Sequence, residues 1–257
     1  MTEEVESADL RTLVLVLGCR AAPYPRLIET IEETWASVEV ETVAVLFYYG
    51  GDESGVRGRS LYLPVPDDLA HVGEKTIAAF DHVLEHRDFD LVFRTNCSSY
   101  VDLPNLREFV RARGRAERFY CGHLGTHDAV GFASGSGYFL SRDLVRIAVE
   151  QQTAWDHSLV DDVALGALLA RRGIRPEPAP RHDFGSVSEV NSVDTSQFHF
   201  RCRTDSPGRL EDGRVIVELH RAFSEARGLR PVGAGRLRRA LAWVGGRASG
   251  LLVRPGR

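Results

Sequence analysis

Long apolar segments are absent from this sequence. No run of about 18 or more apolar residues occurs among its 257 residues, which argues against a membrane-spanning helix. The first ten residues are acidic, whereas a secretory signal begins with a basic segment followed by an apolar one. We therefore expect a cytoplasmic protein without a membrane span.

Cysteines are few and scattered. The sequence has four of them, at positions Cys19, Cys97, Cys121 and Cys202. No two are separated by the short spacing of a zinc ribbon, and the pattern does not suggest a disulfide framework. We expect all four to be reduced thiols.

The formal net charge is -4, so an excess of basic residues is also lacking and bulk nucleic-acid binding by the main body is not expected. Basic residues nevertheless crowd the last stretch, namely Arg236, Arg238, Arg239, Arg247, Arg254 and Arg257. Apolar residues alternate with them. This pattern is compatible with peripheral contact with an anionic membrane or simply with a solvated terminal helix.

The first half of the chain alternates short apolar runs with amphipathic segments. The predicted strands cover 12–17, 43–49, 60–65 and 89–94, and the predicted helices cover 25–37 and 74–86. Strands that read as continuous apolar runs are typical of parallel sheets covered by helices on both faces. The sequence therefore predicts an α/β fold, in which ligands bind beyond the carboxyl ends of the strands.

The second half continues with further helices and one long loop. Helices are predicted at 105–113, 141–150, 158–172 and 211–227, a strand near Phe119, a Gly/Ser stretch after it, and a surface loop over 176–196. We expect a polar leader (1–11), one α/β domain (12–229) and a basic tail (230–257). Two smaller domains remain an alternative on length alone.

Several separated segments occur in the order seen in one enzyme family. The segment Ile28–Trp35 resembles an "IRxTW" helix, Glu74–Thr76 an "LKT" helix, and Asp88–Thr95 a strand that delivers metal-binding aspartates. Further along, 135–141 resembles "GxGYxxS" and 161–166 resembles "EDVxxG". Together they resemble the β-1,3-galactosyltransferase and fringe-type family of GT-A glycosyltransferases over residues 12 to 203.

The resemblance implies a Rossmann-like GT-A fold, a mostly parallel twisted sheet flanked by helices. It also implies transfer of a sugar from a nucleotide-sugar donor, a UDP-sugar by preference, to a hydroxyl of a glycan or small-molecule acceptor. Inversion at the anomeric carbon follows from the resemblance alone.

One departure from the family concerns the metal. Where relatives carry an acidic triplet, the chain has Asn96, Cys97 and Ser98. Mg²⁺ and Mn²⁺ prefer carboxylate oxygens, whereas these positions offer an amide, a thiol and a hydroxyl, so tight metal binding through the triplet is not expected. A reaction with bound Mn²⁺ or Mg²⁺ and metal-independent transfer are both open.

Arginines could stabilise a leaving diphosphate in place of a metal, because their planar forks match phosphate oxygens. Arg201 and Arg203 occupy alternate positions and would share one side of an extended segment. His199 beside them is a candidate metal ligand, with a packed or hydrogen-bonded histidine as the alternative.

A general base must take the acceptor proton, and the resemblance points to Asp162 for this role. Asp161 would then cap the following helix or orient the base. Because neighbouring helical residues project about 100° apart, one aspartate can cap while the other faces the cleft.

Polar residues and glycines at the expected strand ends complete the candidate site. The donor-binding candidates besides the two arginines are Gly18, Arg20, Lys75, Arg94, Asn96, Ser98 and Ser99. The acceptor-binding candidates are Gly135, Ser136, Gly137 and Tyr138. No G-x-G-x-x-G follows the first strand, so a dinucleotide fingerprint is not indicated.

Two functions from other classes compete with glycosyl transfer. A noncatalytic carbohydrate- or nucleotide-binding scaffold would account for the missing acidic triplet. A nucleotidyltransferase would use a similar sheet, but its chemistry usually needs carboxylate-held metals and leaves the 161–162 pair without a role.

Overall fold

The computed structural model describes residues 9–229. Most of the predicted polar leader and the whole basic tail (230–257) lie outside the described residues, and so does the tail's predicted membrane contact. Within the described part, no helix combines the length and the apolar character that crossing a bilayer requires. The four cysteines are free thiols, as expected from their spacing.

Two sheets contain the strands of the described chain. In chain order the strands are β1 Thr12–Leu17, β2 Val43–Gly50, β3 Gly55–Arg57, β4 Ser60–Leu63, β5 Leu91–Asn96, β6 Ser99–Val101, β7 Tyr120–His127, β8 Val130–Ser141, β9 Glu177–Pro178, β10 His182–Phe184 and β11 His199–Cys202. The helices are α1 Tyr24–Glu33, α2 Val72–His86, α3 Leu103–Arg113, α4 Arg142–Glu150, α5 Asp161–Ala170 and α6 Leu210–Ala226.

The main sheet of residues 9–229 has eight strands in the order β3-β4-β2-β1-β5-β8-β7-β9. Strands β4, β2, β1 and β5 run parallel to one another. Strand β8 then pairs antiparallel with both β5 and β7. A second, three-stranded sheet has the order β10-β11-β6. The sheet is thus mixed, with the predicted parallel arrangement confined largely to the first half.

Both faces of the main sheet are covered, which explains the continuous apolar run of β1. Val14 and Val16 face one core, to which α1, α3 and α6 also contribute. Leu13 and Leu15 face a second core, formed with α2, α4 and α5. Because side chains alternate along a strand, only a strand that is apolar at every position can serve two cores.

Helix α3 shows how local sequence sets the ends of an element. The Asp102 carboxylate accepts a hydrogen bond from the Asn105 backbone N–H at 3.0 Å, which caps the first turn. Pro104 lies in that first turn, where its missing N–H is tolerated. Gly114 ends the helix with a φ of 57°, a left-handed conformation that glycine adopts readily.

Two predictions from the sequence need correction, and one stretch had no predicted element. That stretch, rich in glycine and serine, is part of β8, a strand of 12 residues. The predicted loop over 176–196 contains β9, β10 and a 3₁₀ helix at Val187–Ser192. The predicted helix over 25–37 ends at Glu33 and continues as a 3₁₀ turn. The glycines of β8 permit close approach of neighbouring side chains. Because glycine is also common in turns, composition alone does not distinguish such a strand from a turn.

Candidate functional site

The site lies at the edge of the main sheet where the parallel strands end. Residue Leu17 of β1 pairs in register with Asn96 of β5, so Gly18 and Cys97 follow at adjacent points of this edge. A crevice beyond the carboxyl ends of such strands is where α/β sheets bind ligands. The structure therefore brings Gly18, Asn96 and Ser98 to the same region, as the sequence predicts.

Asp67 ties together the segments that follow three of these strands. Its Oδ1 accepts from Lys75 Nζ at 2.5 Å and from the Gly50 N–H at 3.2 Å, and its Oδ2 accepts from the Arg20 N–H at 2.7 Å. Burial alone would raise the pKa of Asp67, but the hydrogen bonds from Lys75 and the two backbone groups leave it lowered. Sequence reasoning missed Asp67, whose only signal is its position after a strand.

These contacts correct the expectation for Lys75. Its side chain is only 2% exposed, and its ammonium is bound to Asp67 and to the Gly18 carbonyl. It therefore stabilises the edge of the sheet instead of reaching a donor. Arg20, by contrast, has a side chain that is 45% exposed and lies 3.7 Å from Glu53. Its donor contact stays a prediction.

The triplet Asn96–Ser98 forms the turn between β5 and β6. Asn96 donates from Nδ2 to the Gly135 carbonyl at 3.2 Å and accepts the Ser98 N–H at 3.0 Å. The Cys97 thiol is buried, which raises its pKa to about 12. Ser98 Oγ accepts a hydrogen bond from the Arg209 guanidinium.

This donor set does not fit Mn²⁺ or Mg²⁺. Hard divalent cations prefer carboxylate oxygens, and the triplet has none: its amide oxygen accepts the Ser98 N–H, its thiol is buried with a raised pKa, and a guanidinium contacts its hydroxyl. In the part of the chain that the structure describes, no cluster of three or more His, Cys, Asp or Glu side chains could hold a metal ion.

Gly135 connects this triplet to the predicted catalytic aspartate. Its carbonyl accepts from Asn96 and Arg94, and its N–H donates to Asp162 Oδ2 at 2.6 Å. A Cβ at this position would lie 2.9 Å from Arg94 Nη1 and 3.3 Å from Asp162 Oδ2. Glycine is needed here because two side chains approach the backbone closely.

Arg94 and Asp161 form a buried ion pair behind Gly135. Their closest atoms, Nη2 and Oδ2, are 2.5 Å apart, and their side chains are 2% and 9% exposed. Arg94 Nε also donates to the Tyr48 hydroxyl at 3.0 Å. Burial raises the pKa of Asp161, and the charge of Arg94 opposes that rise. Arg94 therefore points into the protein and not toward a donor, contrary to the sequence prediction.

The two aspartates at the start of α5 face different surroundings. The N-cap position is Val160, which makes no side-chain cap hydrogen bond, so Asp161 is the first residue of the helix and does not occupy the N-cap itself. Asp162 is half-buried, and its Oδ1 accepts the Val163 N–H at 2.9 Å. With one hydrogen bond on each oxygen, the Asp162 carboxylate keeps lone pairs that a substrate hydroxyl can use.

Several predicted binding residues lie in the interior. Tyr138 is 0% exposed and packs beside Arg94, whose guanidinium carbon is 5.7 Å from its ring centroid. Ser99 is buried, with its Oγ donating to the Ser136 carbonyl at 2.8 Å. A Cβ on Gly137 would lie 2.4 Å from the His199 ring. These contacts correct the predicted acceptor contacts of Tyr138 and Gly137 and the donor contact of Ser99.

His199 also faces inward. Its Nε2 lies 3.1 Å from the Ser136 carbonyl, to which it donates, so this nitrogen has no lone pair for a metal. Burial, together with the nearby charge of Arg181, lowers the pKa of His199 to about 3. The structure thus favours the hydrogen-bonded alternative for His199 over the metal ligand.

We expect a His199→Gln variant to resist acid better than the wild type does. In the folded protein the His199 pKa is about 3, against an ordinary value of 6.5, so the unfolded state binds the extra proton between these values. Stability is then lost as the pH falls below 6.5, by about 1.4 kcal/mol per pH unit. Glutamine keeps an N–H for the Ser136 carbonyl but does not titrate.

Urea unfolding near pH 7 and near pH 5 would measure this. The fall in unfolding free energy between the two should be about 2 kcal/mol smaller in His199→Gln. His127→Gln, at an exposed histidine, is the matched control and should lose as much as the wild type. An equal loss in His199→Gln and in the wild type would contradict the buried neutral imidazole.

Arginines gather on the other side of Ser136. Arg201 and Arg203 share one side of the extended segment, as predicted, while Phe200 and Cys202 between and beside them are buried. The Arg201 side chain is 32% exposed and lies 3.8 Å from Asp183. Arg203 is exposed. Burial and the charges of neighbouring arginines lower the pKa of Arg201.

Two further arginines join this group and were missed from the sequence. Arg181 donates from Nη1 to Ser134 Oγ at 3.1 Å and to Ser136 Oγ at 2.9 Å. Arg209 contacts Ser98 from the start of α6. We call Arg181, Arg201, Arg203 and Arg209 the arginine cluster. For Arg181, the charged residue Asp183 two positions later was a weak signal in the sequence. Nothing in the local sequence pattern indicated that Arg209 belongs to the cluster.

Comparison with known proteins agrees with this architecture. A solved glycosyltransferase involved in glycosylation of the major capsid of PBCV-1 superimposes with a TM-score of 0.50, over 80% of this chain and 98% of that one, at 9% identity. This chain has the GT-A glycosyltransferase fold. The mannosyltransferase PcManGT from Pyrobaculum calidifontis, solved with GDP-Man and Mn²⁺, gives a TM-score of 0.43 at 13% identity. The match covers 66% of the present chain and 55% of the mannosyltransferase.

Sequence comparison gives a second relative. Beta-1,3-galactosyltransferase 6 of Mus musculus is 30% identical over 155 residues, which are 51% of the present chain. The present chain spans 47% of the length of that mouse protein. No protein-family model matches. The mouse match confirms the resemblance to β-1,3-galactosyltransferases that the ordered motifs predict.

Proposed function

We propose that residues 12–229 form one catalytic domain that transfers a sugar from a nucleoside diphosphate sugar, by preference a UDP-sugar, to a hydroxyl of a glycan or small molecule. The observation that carries this proposal is the position of Asp162. Its carboxylate accepts the Gly135 N–H at 2.6 Å, and the carbonyl of the same residue accepts a hydrogen bond from Asn96 of the triplet. A fixed carboxylate beside a donor crevice is what general-base catalysis requires.

In the proposed reaction the acceptor hydroxyl gives its proton to Asp162 as its oxygen attacks the anomeric carbon. The bond between that carbon and the donor diphosphate breaks, and its electron pair leaves on the diphosphate oxygen. Attack from the face opposite the leaving group inverts the anomeric carbon. Arg201 and Arg203 stabilise the charge on the leaving diphosphate, since guanidinium groups bind phosphate oxygens in pairs.

The donor is held, in this proposal, by the backbone at Gly18, the Arg20 side chain and the polar edge formed by Asn96 and Ser98. Ser136, whose Oγ accepts a hydrogen bond from Arg181, is the acceptor-side contact in this proposal. Transfer without a tightly bound divalent ion is part of the proposal, because the triplet offers a poor set of metal ligands. The cytoplasmic location stays a prediction from the sequence.

A donor screen tests this function. Purified chain is incubated with a panel of nucleotide sugars and simple hydroxyl acceptors, with EDTA in one series and Mn²⁺ in the other, and nucleoside diphosphate release and glycoside product are measured. Product in both series supports metal-independent transfer. Product only with Mn²⁺ keeps the enzyme but removes metal independence, and donor binding without product in either series supports the noncatalytic scaffold.

A further inference from the structure

Arg209 occupies a distinctive place at the sheet edge. Its Nη2 donates to Ser98 Oγ, the last side chain of the triplet, from a residue 111 positions away. Its Nε donates to Asp212 Oδ2 at 2.7 Å, and Asp212 is itself buried and accepts from the Thr204 N–H at 2.8 Å. A guanidinium fixed in this way puts a positive charge beside the triplet without any metal.

Arg181 is also fixed by its contacts. Its side chain is 6% exposed and donates to the hydroxyls of Ser134 and Ser136. It also binds both carboxylate oxygens of Asp183, at 2.5 and 2.8 Å. Such a two-point contact is the geometry with which guanidinium groups bind oxyanions.

Positive charge exceeds negative charge in the arginine cluster. The carboxylates that contact its four guanidinium groups within residues 9–229 are Asp183 and Asp212. Among those residues no acidic side chain pairs with Arg203. Asp183 is half-exposed and lies between Arg181 and Arg201, so an oxyanion already fits between these two guanidinium groups. The net positive charge of the cluster therefore favours binding of a second, external anion.

We propose that the arginine cluster is a metal-independent diphosphate site, in which Arg181 and Arg209 bind and orient the donor diphosphate together with Arg201 and Arg203. This inference rests on the proposed function for its biological ligand, a nucleoside diphosphate. Arg209 supplies, next to Ser98, the positive charge that a cation on an acidic triplet would supply. Asp183 competes with the incoming phosphate for Arg181 and Arg201.

Titration calorimetry with inorganic pyrophosphate and with UDP, in EDTA, tests the site. We expect the wild type to bind both, and Arg209→Gln and Arg203→Gln each to bind about tenfold or more weakly, since a charge-assisted contact is lost. Asp183→Asn should bind more tightly, because it removes the competing carboxylate. Arg221→Gln, at an exposed arginine on helix α6, is the matched control and should bind like the wild type.

Opposite results separate the site from the function. Binding in EDTA that depends on these arginines, without transfer from any donor, would uphold the site and overturn the proposed function. Transfer that occurs only with Mn²⁺, with no pyrophosphate binding in EDTA, would overturn the site and uphold the function. Should Arg209→Gln unfold, Arg203→Gln and Asp183→Asn decide: affinities equal to that of the wild type in both would overturn the inference.

Discussion

Replacing Asp162 with asparagine is expected to lower kcat by about 10²–10⁴-fold, with donor affinity almost unchanged. The amide oxygen of asparagine can still accept the Gly135 N–H, which Asp162 accepts at 2.6 Å, while the hydrogen bond from the Val163 N–H to Oδ1 is lost. What the variant loses is the ability to take a proton from the acceptor hydroxyl. Initial-rate kinetics with the donor found by the screen would give kcat, and calorimetry with UDP would give the affinity.

Asp156→Asn is the matched control for this experiment. Asp156 precedes α5 on the surface, where it accepts from Ser158, and the same change of charge there should leave kcat near that of the wild type. If Asp162→Asn binds UDP normally and transfers at the wild-type rate, Asp162 is not the base. A loss of UDP binding in Asp162→Asn would instead indicate a role in the donor pocket.

Replacing Arg94 with methionine is expected to destabilise the fold by about 3–5 kcal/mol, the second large effect. The change leaves the Asp161 carboxylate buried without its partner at 2.5 Å and also removes a hydrogen bond from the Gly135 carbonyl. An unpaired buried charge is costly because the protein interior solvates it poorly. The free energy of unfolding in urea at neutral pH measures the effect.

The double variant Arg94→Met with Asp161→Leu separates charge from packing. With both charges removed, no unpaired ion remains, and much of the lost stability should return. Arg11→Met, at an arginine 47% exposed and paired with Asp90 on the surface, is the control and should cost little. A loss in Arg94→Met no larger than in this control would show that the pair carries no buried charge.

The fold was largely predictable because its signals are local. Strand β1 is a continuous apolar run after Thr12, which identifies a strand buried on both faces, and α2, α3, α4 and α6 have apolar residues at helical spacing. The glycine-rich strand β8 was not predictable in this way. Its glycines resemble a turn in composition, but Gly135 and Gly137 are there because Arg94, Asp162 and His199 approach the backbone.

The candidate site was predictable only in part. The ordered motifs pointed to Asp162 and the triplet, and alternation along the chain predicted Arg201 and Arg203 on one side of an extended segment that begins with β11. Exposure was not predictable, since Arg94, Lys75 and Tyr138 are residue types that often bind ligands but here have side chains in the interior. Whether a charged residue faces a cleft or a buried partner depends on segments far away in the chain.

The sequence by itself determined the alternation of strands and helices, the loss of the acidic triplet and the pair of aspartates that opens α5, because each is written in neighbouring residues. Only the tertiary structure decided which aspartate is buried against Arg94, which histidine nitrogen is used, and that Arg181 and Arg209 join Arg201 and Arg203. The physical reason is that burial and charge pairing depend on contacts between distant segments, and local periodicity does not encode these.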